Sequence, residues 1–174
     1  MSDIVHSLTA DSLCQIMQSA GFKAEIAVDP VVGEPLVKSA TNGVVFEIHL
    51  GNKLGDDPNA RADAGFVMIF KISGEMQLSV VNKWNSTHRF GRLLIDDRAP
   101  AHKLLVLCMD FVAAGGVAPS HLRSQVEIWD QFVRELIVWL PAELSAVRGA
   151  EGAEAQESTS ERAAAVPRQG RWEQ

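Results

Sequence analysis

The sequence predicts an α+β fold, an antiparallel sheet with helices packed mainly on one face, and three observations carry that reading. Stretches of alternating apolar and polar residues, such as Val44–Leu50, stand beside stretches with apolar residues three and four apart, such as residues 8–20. The two kinds occur in the order helix, strands, helix, two strands, helix. The dipeptide Asn42-Gly43 between two alternating runs is a tight hairpin turn, which joins antiparallel neighbours.

The first helix follows Thr9-Ala10-Asp11, with Leu8, Leu13, Ile16, Met17 and Ala20 at helical spacing. Gly21 can end it in the left-handed conformation that other residues resist. Residues 22–28 alternate as a first strand, Asp29-Pro30 and Gly33-Glu34-Pro35 punctuate, and residues 36–40 form the second. In the third, Val44, Phe46, Ile48 and Leu50 point one way while Val45, Glu47 and His49 point the other, as in a sheet with one wet face. A loop covers 51–65. Residues 66–72 predict a more buried strand, because Phe66, Met68 and Phe70 share one side and Val67 and Ile69 keep the other apolar; Ser73-Gly74-Glu75 ends it.

Met76, Val80, Val81 and Trp84 then predict a short amphipathic helix over 76–85. Two strands pair across Asp96-Asp97-Arg98-Ala99-Pro100, the second apolar without interruption from Leu104 to Met109. After Gly115-Gly116, a tight strand-to-helix turn, Pro119 suits the first turn of a helix because its missing N–H would be unpaired there anyway. That helix is expected to run to about Leu140. Leu122, Val126, Trp129, Phe132, Val133, Leu136 and Leu140 make its core face; Ile137, Val138 and Trp139 extend apolarity round the remaining surface and predict a second buried contact.

With 174 residues, 47% hydrophobic and 22% charged, the chain fits one globular domain plus an extension. The domain is read as residues 1–142. Residues 143–174, rich in Ala, Glu, Ser, Gln and Arg, cannot bury enough apolar area to offset their ordering entropy and are expected to form a disordered tail in which Trp172 is an exposed aromatic. A net charge of −6 with scattered basic residues disfavours nucleic acid and anionic membranes as partners. No apolar run approaches the roughly 18 residues of a membrane span, and the start of the chain has no basic leader; a cytoplasmic protein is expected. Cys14 and Cys108, each in an apolar run, are expected as reduced buried thiols.

No catalytic, cofactor or metal site can be drawn from the motifs. His6, His49, His88, His102 and His121 show no metal-ligand spacing, and no serine lies in a GxSxG. Asp56, Asp57, Asn59 and Asp63 share one loop but lack the order of a calcium loop, so a solvated loop is expected. The best polar constellation is Asn82 and Asn85 with Trp84 and Arg89, because two amides and a guanidinium can bind peptide backbone or a carboxylate. The simpler expectation is that the asparagines cap the helix and bond the adjoining turn while Trp84 fills the core. Asn82, Trp84, Asn85, Arg89 and Trp139 are therefore the candidate partner-binding residues.

Val81-Asn82-Lys83-Trp84-Asn85, Arg89-Phe90, the Leu94-Ile95-Asp96-Asp97 turn, the double glycine after Met109 and the amphipathic helix that follows together resemble the YbjN-like family of bacterial sensory transduction regulators, over roughly residues 8–140. That family is similar in fold to the dimeric chaperones of type III secretion systems. The resemblance implies helices on a twisted sheet and a non-enzymatic, chaperone-like or regulatory domain that binds other proteins, and a homodimer is expected with Trp139 or its neighbours at the interface. Two readings of other classes are a small-ligand or ion sensor built on the 51–65 loop and an enzyme with a pocket around His88, Arg89 and Asp96.

Overall fold

The computed structural model describes residues 4–72, 76–98 and 103–164, the last fifteen of them (150–164) as backbone alone. Ser73-Gly74-Glu75, Ala99-Pro100, His102 and Trp172, which the sequence reading used, lie outside the described residues. The elements are α1 (Ala10–Ser19), β1 (Ala24–Val28), β2 (Pro35–Thr41), β3 (Val44–Leu50), β4 (Asp63–Lys71), α2 (Leu78–Thr87), β5 (Arg92–Asp96), β6 (Leu104–Val112) and α3 (Pro119–Ala164). The strands form one antiparallel sheet in the order β1-β2-β3-β4-β6-β5.

Local chemistry fixes the element ends. Thr9 caps α1 in a reciprocal box with Ser12: the Ser12 N–H donates to Thr9 Oγ1 at 3.1 Å and the Thr9 N–H to Ser12 Oγ at 2.9 Å. Asn42 (φ 50°) and Gly43 (φ 79°) are both left-handed, as a two-residue hairpin turn with the twist of its strands requires. The hairpin tip is tied to α3, where the Asp130 carboxylate accepts from Thr41 Oγ1 and, at 3.2 Å, from Asn42 Nδ2.

Pairing register sorts the sheet residues by face. Ile26, Val37, Ile48, Phe66 and Met109 lie in one row across five strands, on the side where the helices pack. Trp129 of α3 sits at the centre of that core, stacked on Phe66 with ring centroids 5.2 Å apart and edge-on to Phe46 at 5.6 Å. On the opposite face Val67, Ile69, Val106 and Leu94 come from three adjacent strands, with Val45 on β3 beside them.

Two expectations change. β4 is not buried on both sides: Ile69 is half exposed, because all three helices come back to the other face. The last helix does not stop near Leu140; its backbone continues through Pro141 to Ala164. Pro141 removes one N–H from the ladder, a cost of about 3 kcal/mol in a helix interior, while the Ala, Glu, Gln and Arg that follow are strong helix formers without an apolar stripe. Residues 143–164 of the expected tail are thus helical. Backbone contacts divide the chain between Leu136 and Ile137, inside this helix.

Candidate functional site

The segment singled out from sequence forms a corner between α2, β5 and α3. Trp84 is fully buried, and its Nε1–H donates to the Gly91 carbonyl at 3.1 Å. Phe132 of α3 meets its indole edge-on at 6.4 Å. Gly91 is required by close approach: a Cβ there would stand 3.0 Å from the Phe132 ring. Asn85 does not cap a helix. Its amide exchanges two hydrogen bonds with the backbone of Leu93, Nδ2 to the carbonyl and Oδ1 from the N–H, both at 2.8 Å, so that α2 is fastened to β5. The N-cap of α2 is Gln77, with no side-chain capping bond.

His88 completes the corner. Its ring stacks on Trp84 at 3.5 Å and 8°, Nδ1 lies 3.0 Å from the Trp84 carbonyl, and Nε2 lies 3.3 Å from Glu135 of α3. Asn82 and Arg89 are exposed, as is Asn85 despite its bonds to Leu93. The Arg89 guanidinium lies 5.5 Å from the centre of the exposed Phe90 ring, within cation–π range. The structure therefore separates the five candidates. Trp84 and Asn85 hold the fold together, Asn82 and Arg89 are on the surface beside them, and Trp139 is half-buried on α3 beyond Leu136.

Chemistry elsewhere is sparse. Cys14 is buried as expected but Cys108 is only half-buried; its thiol is pushed up by burial and by Asp110, against the opposing pull of Arg92, which favours the protonated form. Asp96 is held down at about 2 by its hydrogen bonds from the Arg98 side chain and backbone, both on the surface. Asp57 accepts from the Asn59 N–H within its turn, and Asp63, at the start of β4, accepts from Asn52 across the loop. Among the described residues no three His, Cys, Asp or Glu side chains gather as a metal site, and no helix is long and apolar enough to cross a membrane.

The sequence reading expected one wet face of the sheet but not the apolar strip that it carries. Val45 is 65% exposed, Ile69 52% and Leu94 39%, with Val67 and Val106 between them. The strip is bounded by the ion pairs Lys38–Glu47, at 3.6 Å, and Arg92–Asp110. The signal was present in the apolar residues on both sides of β4, which read equally well as burial.

The comparisons with known proteins agree with this architecture. A search of curated proteins finds no match. Among solved structures, the crystal structure described as "YbjN, a putative transcription regulator from E. coli" is similar with a TM-score of 0.57 at 14% identity, covering 76% of this chain and 91% of that one. At that identity the likeness is one of fold. The family model described as "Putative bacterial sensory transduction regulator" matches residues 9–141. Spanning most of the chain and all of the sheet, that match shows that the protein belongs to the YbjN family.

Proposed function

We propose that this chain is a regulatory protein-interaction domain, chaperone-like in its mode of action, which binds rather than catalyses and acts as a homodimer in the cytoplasm, with neither nucleic acid nor membrane as partner and with its folded domain ending at Ala142. The observation that carries this reading is the helix-free sheet face. Val45, Ile69 and Leu94 expose apolar surface there around the buried Val106, and leaving it in water forgoes burial worth about 25 cal/mol per Å². A second copy fits the strip. The charges beside the strip include the ion pairs Lys38–Glu47 and Arg92–Asp110, together with Lys71 two residues beyond Ile69 on the same face. Isologous contact of one patch with itself is also the commonest oligomer geometry. Val138, 73% exposed on α3, is the second apolar position at which a partner could be seated.

Sedimentation equilibrium across the micromolar range tests the reading. The native chain is expected to dimerise, Ile69→Lys to weaken the dimer strongly, and Val138→Glu with Trp139→Glu to report whether α3 shares the interface. A native monomer throughout the range, or an Ile69→Lys chain that dimerises as tightly as the native one, overturns the sheet-face dimer. Circular dichroism accompanies each variant, so that unfolding is not taken for dissociation.

A further inference from the structure

The outer strand β1 leaves backbone groups open along one edge of the sheet. Alternate residue pairs exchange the bonds of an antiparallel ladder, and beyond β1 the Asp29 N–H donates to the Glu34 carbonyl at 2.8 Å. Counted back through the register, Ala27 and Glu25 bond Leu36 and Lys38, so the N–H and C=O groups of Ala24, Ile26 and Val28 point away from β2. Gln18 Nε2 donates to the Ala24 carbonyl at 3.2 Å; among the described residues the outward groups of Ile26 and Val28 have no partner. At the opposite edge, by contrast, the Asn85 amide occupies both backbone groups of Leu93 on β5. β1 also lacks the devices that blunt an edge, for its register is unbroken and it holds no proline or lysine from Ala24 to Val28.

The side chains narrow what can lie beside it. On the helix side Ile26 is 45% and Val28 65% exposed, whereas Val37, next to Ile26 in the row, is fully buried. The apolar row of the core thus runs out to the edge and stops uncovered. On the other side Glu25, Lys38 and Glu47 form a row of alternating sign across β1, β2 and β3. Lys38 pairs with Glu47 at 3.6 Å, and among the described residues neither Glu25 nor Lys23, just before the strand, forms an ion pair. Asp29, past the other end, is engaged by the Val31 and Val32 N–H groups and by His49. The next position outward from Glu25 therefore suits a cation.

A second copy of β1 does not meet that demand. Paired antiparallel about Ile26, it would set each Glu25 against Ala27 and leave both carboxylates without a cation. We propose that β1 accepts an extended segment of another protein as an added strand, with apolar side chains beside Ile26 and Val28 and a lysine or arginine beside Glu25. Main-chain hydrogen bonds to Ile26 and Val28 would hold the segment, and its alternating side chains would select it.

This proposal rests on the reading of the chain as a protein-interaction domain and names the class of partner, at an edge separate from the sheet-face dimer. Two end-capped peptides test it on the full chain, one alternating valine with lysine and one alternating valine with glutamate, with binding followed by amide NMR. The lysine peptide is expected to bind saturably, to shift the amides of residues 24–28 and to slow hydrogen exchange at Ile26 and Val28. The glutamate peptide is expected to bind about threefold or more weakly, the scale of exposed cross-strand charge pairs. Glu25→Lys should reverse that preference. Val28→Pro removes one outward N–H while sparing the bonds to β2, and should weaken the lysine peptide with the circular dichroism unchanged. Absence of saturable binding by the lysine peptide overturns the proposal, as does a preference that survives Glu25→Lys or shifts confined to Val45, Ile69 and Leu94. A native dimer that Val28→Pro dissociates would place a second copy at this edge and overturn it too. A dimer weakened by Ile69→Lys while no peptide binds would leave the sheet-face reading standing, so the two fail separately.

Discussion

The Trp84 corner and the helix-free sheet face are made from the same kinds of residue on neighbouring strands, and they end in opposite states. In the corner, Leu93 is buried, the indole N–H and both Asn85 amide groups have partners, and Phe132 rests against Gly91. One residue along β5, Leu94 points to the other face and is exposed with Ile69 and Val45. Side-chain apolarity does not distinguish the two. The difference is the return path of the helices: α1, α2 and α3 all come back to the face that carries Phe46 and Phe66, so alternation along a strand decides between a jigsaw core and a bare surface.

The largest test of that contrast is Trp84→Ala. It removes the buried indole and the bond to Gly91, and a loss of about 3–5 kcal/mol is expected by chemical denaturation. An unchanged midpoint would mean that the corner is not part of the core. Gly91→Ala is expected to cost about 1–3 kcal/mol, because the new methyl meets the Phe132 ring and one of them must move. Phe132→Leu in the same chain should return part of that loss, which ties the effect to the contact rather than to the backbone. Asn85→Ala leaves the N–H and carbonyl of Leu93 without their side-chain partners and is expected to cost about 1–3 kcal/mol.

On the bare face the expected effects on folding are small. Ile69→Lys should change protomer stability by less than about 0.5 kcal/mol when unfolding is followed at concentrations too low for self-association. A loss comparable to that of Trp84→Ala would show that β4 is covered within its own chain. The smallest effect belongs to Asp96. Its pKa is lowered from 3.8 to about 2, so whatever stability its bonds to Arg98 contribute is present above the ordinary carboxylate range and is lost as the pH falls through the folded value. A carboxyl titration by NMR should give a midpoint near 2, and Arg98→Ala should move it back toward 3.8.

Much of this architecture was legible because local signals are strong where the backbone conformation is demanding. Thr9 before the apolar spacing of α1, Asn42-Gly43 and Pro119 each mark an element end that the structure keeps. The α+β class and antiparallel pairing follow from those ends. Trp84 as a core anchor followed from its spacing to Val80 and Val81, all three of which are buried. The role of Asn85 did not, since a capping amide and one that grips a strand eight residues later look alike in sequence. The end of α3 was also hidden: a proline and the loss of large aliphatic residues argued for a stop, whereas backbone propensity alone carries the helix onward. The backbone bridge between Leu8 and Arg61, fifty-three positions apart, was hidden as well, because no periodicity encodes such a contact.

The place of Trp129 has a consequence for how the chain is made. All six strands precede it in sequence, and the rings it fits between, Phe46 and Phe66, belong to the first half of the chain. At about 5–20 residues per second of synthesis, roughly 4–17 s separate the appearance of Phe46 from that of its partner on α3. For that interval the nascent sheet has neither face covered by α3, and its apolar rows are open to chance pairing with other chains. A variant that delays docking of α3 should therefore aggregate during expression even where the finished protein, once folded, is as stable as the native one.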